Sequence, residues 1–163
     1  MPDDFLKEKF IETDKGKIVY WLDNSFPGRP TVIFLHGLSS NHTTWLNAMG
    51  VLHSHKYNSL AWDMRGHGSS DKTKKKGLYK LSVFSDDLEK IIKAEKIDNG
   101  ILVGYSFGGS VAIDQVLKYP DSSRGLILIS ANHANPLEYN GFRFLTAWGS
   151  RLVNLLAFSF YGY

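Results

Sequence analysis

The 163-residue chain contains no cysteine. That excludes a disulfide framework and a thiolate nucleophile, and a reducing compartment is tolerated. It also lacks an excess of one charge. Against 19 basic residues stand 16 acidic ones, a net charge of +3, too balanced to imply a nucleic-acid partner. The first ten residues carry five charged side chains and no apolar core, so they do not read as a signal peptide. The most apolar segment, residues 141–163, is interrupted by Arg143 and Arg151, which argues against a transmembrane span and leaves surface attachment as the lesser option. A cytoplasmic protein is the expectation. Internal repeats and low-complexity linkers are missing too, and the length suits one domain with a sizeable core.

What the chain does have is a glycine-rich stretch at residues 101–109, and the rest is organised around it. Ile101, Leu102 and Val103 read as a short buried strand. Gly104, Tyr105, Ser106, Phe107 and Gly108 then spell G-x-S-x-G, with Gly109 as an extra glycine. From Val111 the apolar spacing becomes helical, through Val116 and Tyr119, until Pro120 ends it. Strand, serine and helix in that order are the context of a nucleophile elbow, in which a sharp turn lifts the serine clear of the sheet at the positive end of a helix. Gly104 and Gly108 would let strand and helix approach without a Cβ clash. The alternative is a plain glycine-rich turn with an incidental serine. A phosphate cradle is excluded, since neither G-x-G-x-x-G nor G-x-x-x-x-G-K-[ST] fits these residues.

Elsewhere, residues 10–13 and 17–22 predict two strands joined by an Asp14-Lys15-Gly16 turn. Pro27, Gly28 and Pro30 break the chain. Thr31–Leu35 is a continuous apolar run, the mark of a central parallel strand covered on both faces. Trp45, Met49 and Leu52 recur at helical spacing, and residues 57–62 read as the next strand. Residues 81–96 predict a helix with Phe84, Leu88, Ile91 and Ile92 inward. Gly125–Ile129 is a further strand, expected beside the elbow strand. The alternation argues an open parallel α/β sheet, in which ligands bind beyond the carboxyl ends of the strands.

Two more motifs fall at such ends. His36-Gly37-Leu38 follows Thr31–Leu35. Acyl transfer develops a negative oxygen that needs preorganised N–H donors. The Phe107 amide is one expected donor and the Leu38 amide the other, with Gly37 keeping the backbone open and His36 supporting the loop. The second motif is Asp63-Met64-Arg65-Gly66-His67-Gly68-Ser69. Asp63 and Arg65 are expected to pair across this turn, and the two glycines to permit positive φ. A metal site at Asp63 and His67 lacks further ligands at useful spacing. Lys72, Lys74, Lys75 and Lys76 read as a solvated loop.

His36-Gly37, Asp63-x-Arg65-Gly66-His67-Gly68-x-Ser70 and Gly104-x-Ser106-x-Gly108-Gly109, in this order, resemble the α/β-hydrolase fold, and within it the esterase, C–C hydrolase and haloperoxidase-like group. The resemblance covers about residues 11–131. It implies an open, mostly parallel sheet with helices on both faces, Ser106 as nucleophile, and the Leu38 and Phe107 amides as oxyanion hole. It implies no metal and no organic cofactor. Serine at 106 speaks against the epoxide-hydrolase and haloalkane-dehalogenase branches, which use Asp there. In the family an acid and then a histidine follow the nucleophile, after later strands. Only His133 follows Ser106 here, and Asp114 and Asp121 are poorly placed to orient it, so both partners are expected to be missing and His133, like Tyr105, to line the pocket. The expected organisation is a hydrolase core over residues 1–134, truncated after about the sixth strand, and the start of a helical cap over 135–163. The expected activity is hydrolysis of carboxylic esters or related acyl compounds through an acyl-enzyme. The rivals are C–C hydrolysis or perhydrolysis, and a catalytically silent fragment that binds a partner chain. Besides a small acyl substrate, self-association or a complementing C-terminal chain is expected.

Overall fold

The computed structural model describes residues 4–98 and 100–131, which form one compact unit. His133 and the cap expected over 135–163 lie outside the described residues. Among the described residues six strands form one sheet in the order β1-β2-β4-β3-β5-β6. β1 (Lys7–Thr13) and β2 (Gly16–Asp23) make an antiparallel hairpin, and β2 also pairs antiparallel with β4 (Asn58–Trp62). From β4 through β3 (Thr31–Leu35) and β5 (Gly100–Tyr105) to β6 (Gly125–Ile129) the sheet is parallel.

Alternation along the strands sorts the core into two layers. On one face Ile33, Leu35, Leu60, Trp62 and Leu102 pack with Phe84, Leu88, Ile91 and Ile92 of α2 (Leu81–Ala94) and Val111 of α3 (Phe107–Lys118). On the other, Phe34, Ala61 and Val103 pack with Trp45 and with Met49 of α1 (Leu46–Ser54). Central strands covered on both faces account for the uninterrupted apolar runs.

The connections locate the site. From β3 the chain crosses by α1 to β4 on one side. It then returns by α2 to β5 on the other side of β3. Strand order therefore reverses between β3 and β5, and the crevice at the carboxyl ends of such a pair is where open α/β sheets bind ligands. His36-Gly37 and Ser106 follow those two strands.

Candidate active site

Ser106 joins β5 to α3 with φ 52° and ψ −118°, a region a side chain opposes. Its N–H donates to Ile129 O at 3.0 Å, and its carbonyl accepts from Gly109 N–H at 3.0 Å. Close packing enforces the turn. A Cβ on Gly104 would stand 2.6 Å from Gly109 Cα, so strand and helix touch backbone to backbone there. Gly108 serves a different contact from the one expected. Its Cβ would lie 2.3 Å from Leu35 O and 2.6 Å from His36 O, so it admits the end of neighbouring β3 rather than its own strand. A Cβ on Gly109 would meet Ala131 Cβ at 2.2 Å. Phe107, first residue of α3, packs edge-on against Phe84 with ring centroids 5.4 Å apart.

The loop after β3 lies against this elbow. A Cβ on Gly37 would stand 3.2 Å from the Tyr105 ring and 3.6 Å from Ser106 Cβ. His36 is fully buried; its Nδ1–H donates to Gly37 O at 2.7 Å and its Nε2 accepts from Met64 N–H at 3.0 Å. One donor and one acceptor role make the neutral ring the satisfied form. Burial agrees, lowering the His36 pKa to about 4. With both nitrogens occupied, His36 holds a loop and has none left for a substrate. Gly37 O also accepts from Ser40 N–H at 3.1 Å. The peptide is planar and trans, so fixing the Gly37 carbonyl fixes the Leu38 N–H in the opposite direction. Leu38, next to Gly37, and Tyr105, next to Ser106, are 48% and 40% exposed.

The loop after β4 corrects one expectation. Asp63 and Arg65 are both fully buried but do not pair. Asp63 Oδ1 accepts from His42 N–H at 2.8 Å and lies 3.0 Å from His42 Nδ1, and its Oδ2 accepts from Ser69 N–H at 2.7 Å. Arg65 instead forks onto Asp87 of α2, Nε to Oδ2 at 3.0 Å and Nη2 to Oδ1 at 2.9 Å. It also donates to Lys15 O and, at 3.2 Å, to Thr13 Oγ1 in the hairpin turn. A guanidinium gains most from a carboxylate presented edge-on, and Asp87 presents both oxygens while those of Asp63 are taken by N–H donors. Gly66 and Gly68 have the expected positive φ, 82° and 46°. At Gly68 a Cβ would also collide with Asp63 Oδ2, at 1.9 Å.

Asp87 and His42 were missed as partners. The available signal was a carboxylate on the apolar stripe of α2, between Phe84 and Leu88, which requires a buried cation. Asp114 accepts from Ser85 Oγ at 2.5 Å, and Asp121 sits in the turn Pro120–Ser122 beyond the far end of α3. His53 is engaged with Asp23 at 2.7 Å. Among the described residues no histidine is hydrogen-bonded to Ser106, and no group of three potential metal ligands occurs. An open groove of about 740 Å³ near Lys96, Lys118 and Asp121 lies at the opposite end of the sheet from all three motifs.

A model of the alpha/beta hydrolase fold family matches residues 30–155, more than half of the chain. The chain belongs to the alpha/beta hydrolase fold family. Among its relatives, the 2-(acetamidomethylene)succinate hydrolase of Mesorhizobium japonicum is 32% identical over 131 residues, 79% of this chain and 46% of that protein. The esterase of Exiguobacterium antarcticum superposes with a TM-score of 0.68 at 26% identity, covering 77% of this chain and 46% of that one. An epoxide hydrolase of Vigna radiata gives a TM-score of 0.73 at 21% identity, covering 82% and 43%. The chain spans less than half the length of each of these three hydrolases.

Proposed function

We propose that the chain is the nucleophile-bearing part of a serine hydrolase of carboxylic esters or related acyl compounds. The observation that carries this reading is the strained Ser106 at the β3/β5 crevice, against the Gly37 turn. Ser106 Oγ adds to the acyl carbon while a base takes its proton. The carbonyl oxygen becomes an oxyanion, bound by the Leu38 and Phe107 N–H groups, and the leaving group departs with a proton. Phe107 N–H opens a helix and has no intrahelical acceptor, and the Leu38 N–H donates to no carbonyl among the described residues. Water then cleaves the acyl-enzyme and regenerates Ser106.

The chemistry of serine separates this reading from epoxide opening. Attack of an alkoxide on an epoxide leaves an ether, with no carbonyl for water to attack, so the enzyme would not turn over. On an acyl group it leaves an ester, which water can cleave.

Ser106 needs a base, and the described residues offer it none within hydrogen-bonding reach. We place the base on polypeptide that extends the sheet past β6. The chain as it stands should then hydrolyse p-nitrophenyl acetate barely above background and label slowly or not at all with a fluorophosphonate. Without a working triad only ~10³–10⁴-fold catalysis over water is typical. Adding a polypeptide that carries the later strands should raise turnover, and Ser106→Ala should abolish the gain. Turnover of about 1 s⁻¹ or more by the chain alone, lost in Ser106→Ala, would place a base within it, with His133→Ala as the next variant. No gain on complementation would favour the second reading, a silent domain whose exposed β6 binds a partner chain.

A further inference from the structure

His67 is 8% exposed, and both of its ring nitrogens face carbonyl oxygens, Nε2 towards Leu38 O at 2.6 Å and Nδ1 towards Arg65 O at 3.0 Å. A carbonyl oxygen only accepts. Each contact therefore requires a proton on the ring nitrogen, and a neutral imidazole carries one. His36, with ring centroids 5.0 Å away, is the contrast, because its single donor and single acceptor contacts suit the neutral ring. We propose that His67 is held as the imidazolium and acts as a positioning residue that ties the Leu38 carbonyl to the loop after β4, and that losing one proton loosens this tie.

Together the two histidines grip consecutive peptides. His36 fixes the Gly37 carbonyl, and with it the Leu38 N–H, while His67 fixes the Leu38 carbonyl. The backbone at Leu38 is thus held on both sides. If one His67 proton leaves, a lone pair faces a carbonyl oxygen at hydrogen-bonding distance, and the ring must turn or one contact must open.

The charged and titratable groups around it come from four elements. Its own loop contributes Asp63, whose Oδ2 lies beneath Gly68, and Arg65, whose guanidinium is turned away onto Asp87 of α2. The loop after β3 contributes neutral His36, and the turn His42–Trp45 contributes His42, bound to Asp63. Asp63 is thus the carboxylate of this cluster not already matched by a guanidinium, and its oxygens are engaged by His42 and the Ser69 N–H.

The functional consequence rests on reading Leu38 as an oxyanion donor, but the test does not. In the histidine-labelled chain, ring ¹⁵N resonances followed from roughly pH 5 to 8, the range over which histidine charge commonly changes, should show His67 protonated on both nitrogens at the acid end. The Leu38 and Ser39 amide signals should then move together with loss of the His67 proton. That linked shift should vanish in His67→Phe and in His67→Gln, the second a milder change should the first not fold. A neutral His67 ring throughout, or amide signals that ignore its titration, overturns the proposal. The readout needs no turnover, so an inert Ser106 would overturn the hydrolase reading and leave this one standing.

Discussion

Ser106 keeps a backbone conformation its side chain disfavours because the glycines around it leave no room for another path. Gly108 shows how much depends on one missing methyl. In Gly108→Ala the new Cβ meets two backbone carbonyls, at 2.3 and 2.6 Å, which cannot swing aside as a side chain would. Overpacking of this kind costs about 3 kcal/mol. Gly50, within α1, has nothing within 4 Å of a Cβ, so Gly50→Ala should stabilise by roughly 0.5–1 kcal/mol through helix propensity alone. Urea denaturation of the two variants should give shifts of opposite sign, and equal shifts would refute the steric account. His36 makes a second prediction. Its pKa is about 4 in the fold, set by burial, against about 6.5 unfolded. Between those values the unfolded chain binds the extra proton, so the contribution of His36 to stability falls as pH drops from about 6.5 to 4 and changes no further below. The full effect is on the order of 3 kcal/mol. In His36→Asn the dependence of unfolding free energy on pH over that window should be shallower by about one proton, on a lower baseline from the lost loop contacts.

At the scale of elements, what could be read from the sequence and what could not follows a physical division. β3, β5 and the inward face of α2 were readable, because burial on both faces or on one stripe imprints a run or a period. The three motifs were readable because they follow directly from those strands. β1 starts at Lys7, three residues before the expected boundary, since Lys7, Glu8 and Lys9 on an exposed edge strand carry no apolar alternation. α2 stops at Ala94 rather than at 96, because Lys96 turns left-handed at φ 51° and closes the helix in the position glycine usually takes. Trp45 falls in the tight turn ahead of α1, where Asn41 caps the chain by accepting from Thr43 N–H. The Arg65–Asp87 fork was not readable from spacing. It joins residues 22 apart, and depends on how α2 is rotated against the sheet. That pair links the β1–β2 turn, the loop after β4 and α2 inside the core. Arg65→Ala should therefore cost about 3–5 kcal/mol by stranding Asp87, while Arg65→Met with Asp87→Leu should cost far less. A double variant no more stable than Arg65→Ala alone would show that the guanidinium's bonds to Lys15 O and Thr13 matter more than its ion pair.

At the scale of the whole molecule, the sheet of the described residues is finished at one side and open at the other. β1 closes one edge with charged residues, the usual means of discouraging further strand pairing. β6 has no such protection. Among the described strands it pairs with β5 alone, and Leu126, Ile127, Leu128 and Ile129 are 37–51% exposed. Successive side chains on a strand point to opposite faces, so exposure of all four leaves both faces of β6 uncovered. An apolar strand with no partner along one side among the described residues is a template for another strand. The isolated chain should therefore self-associate, with sedimentation equilibrium giving a mass that rises with concentration. Ile127→Lys places a charge on one face of that edge without touching the Ser106 turn, and should shift the equilibrium towards monomer while leaving the circular dichroism spectrum unchanged. A polypeptide that pairs with β6 should have the same effect on the wild-type chain, because it occupies the same edge. A wild-type chain that stays monomeric at high micromolar concentration would show that β6 is covered by residues of its own chain.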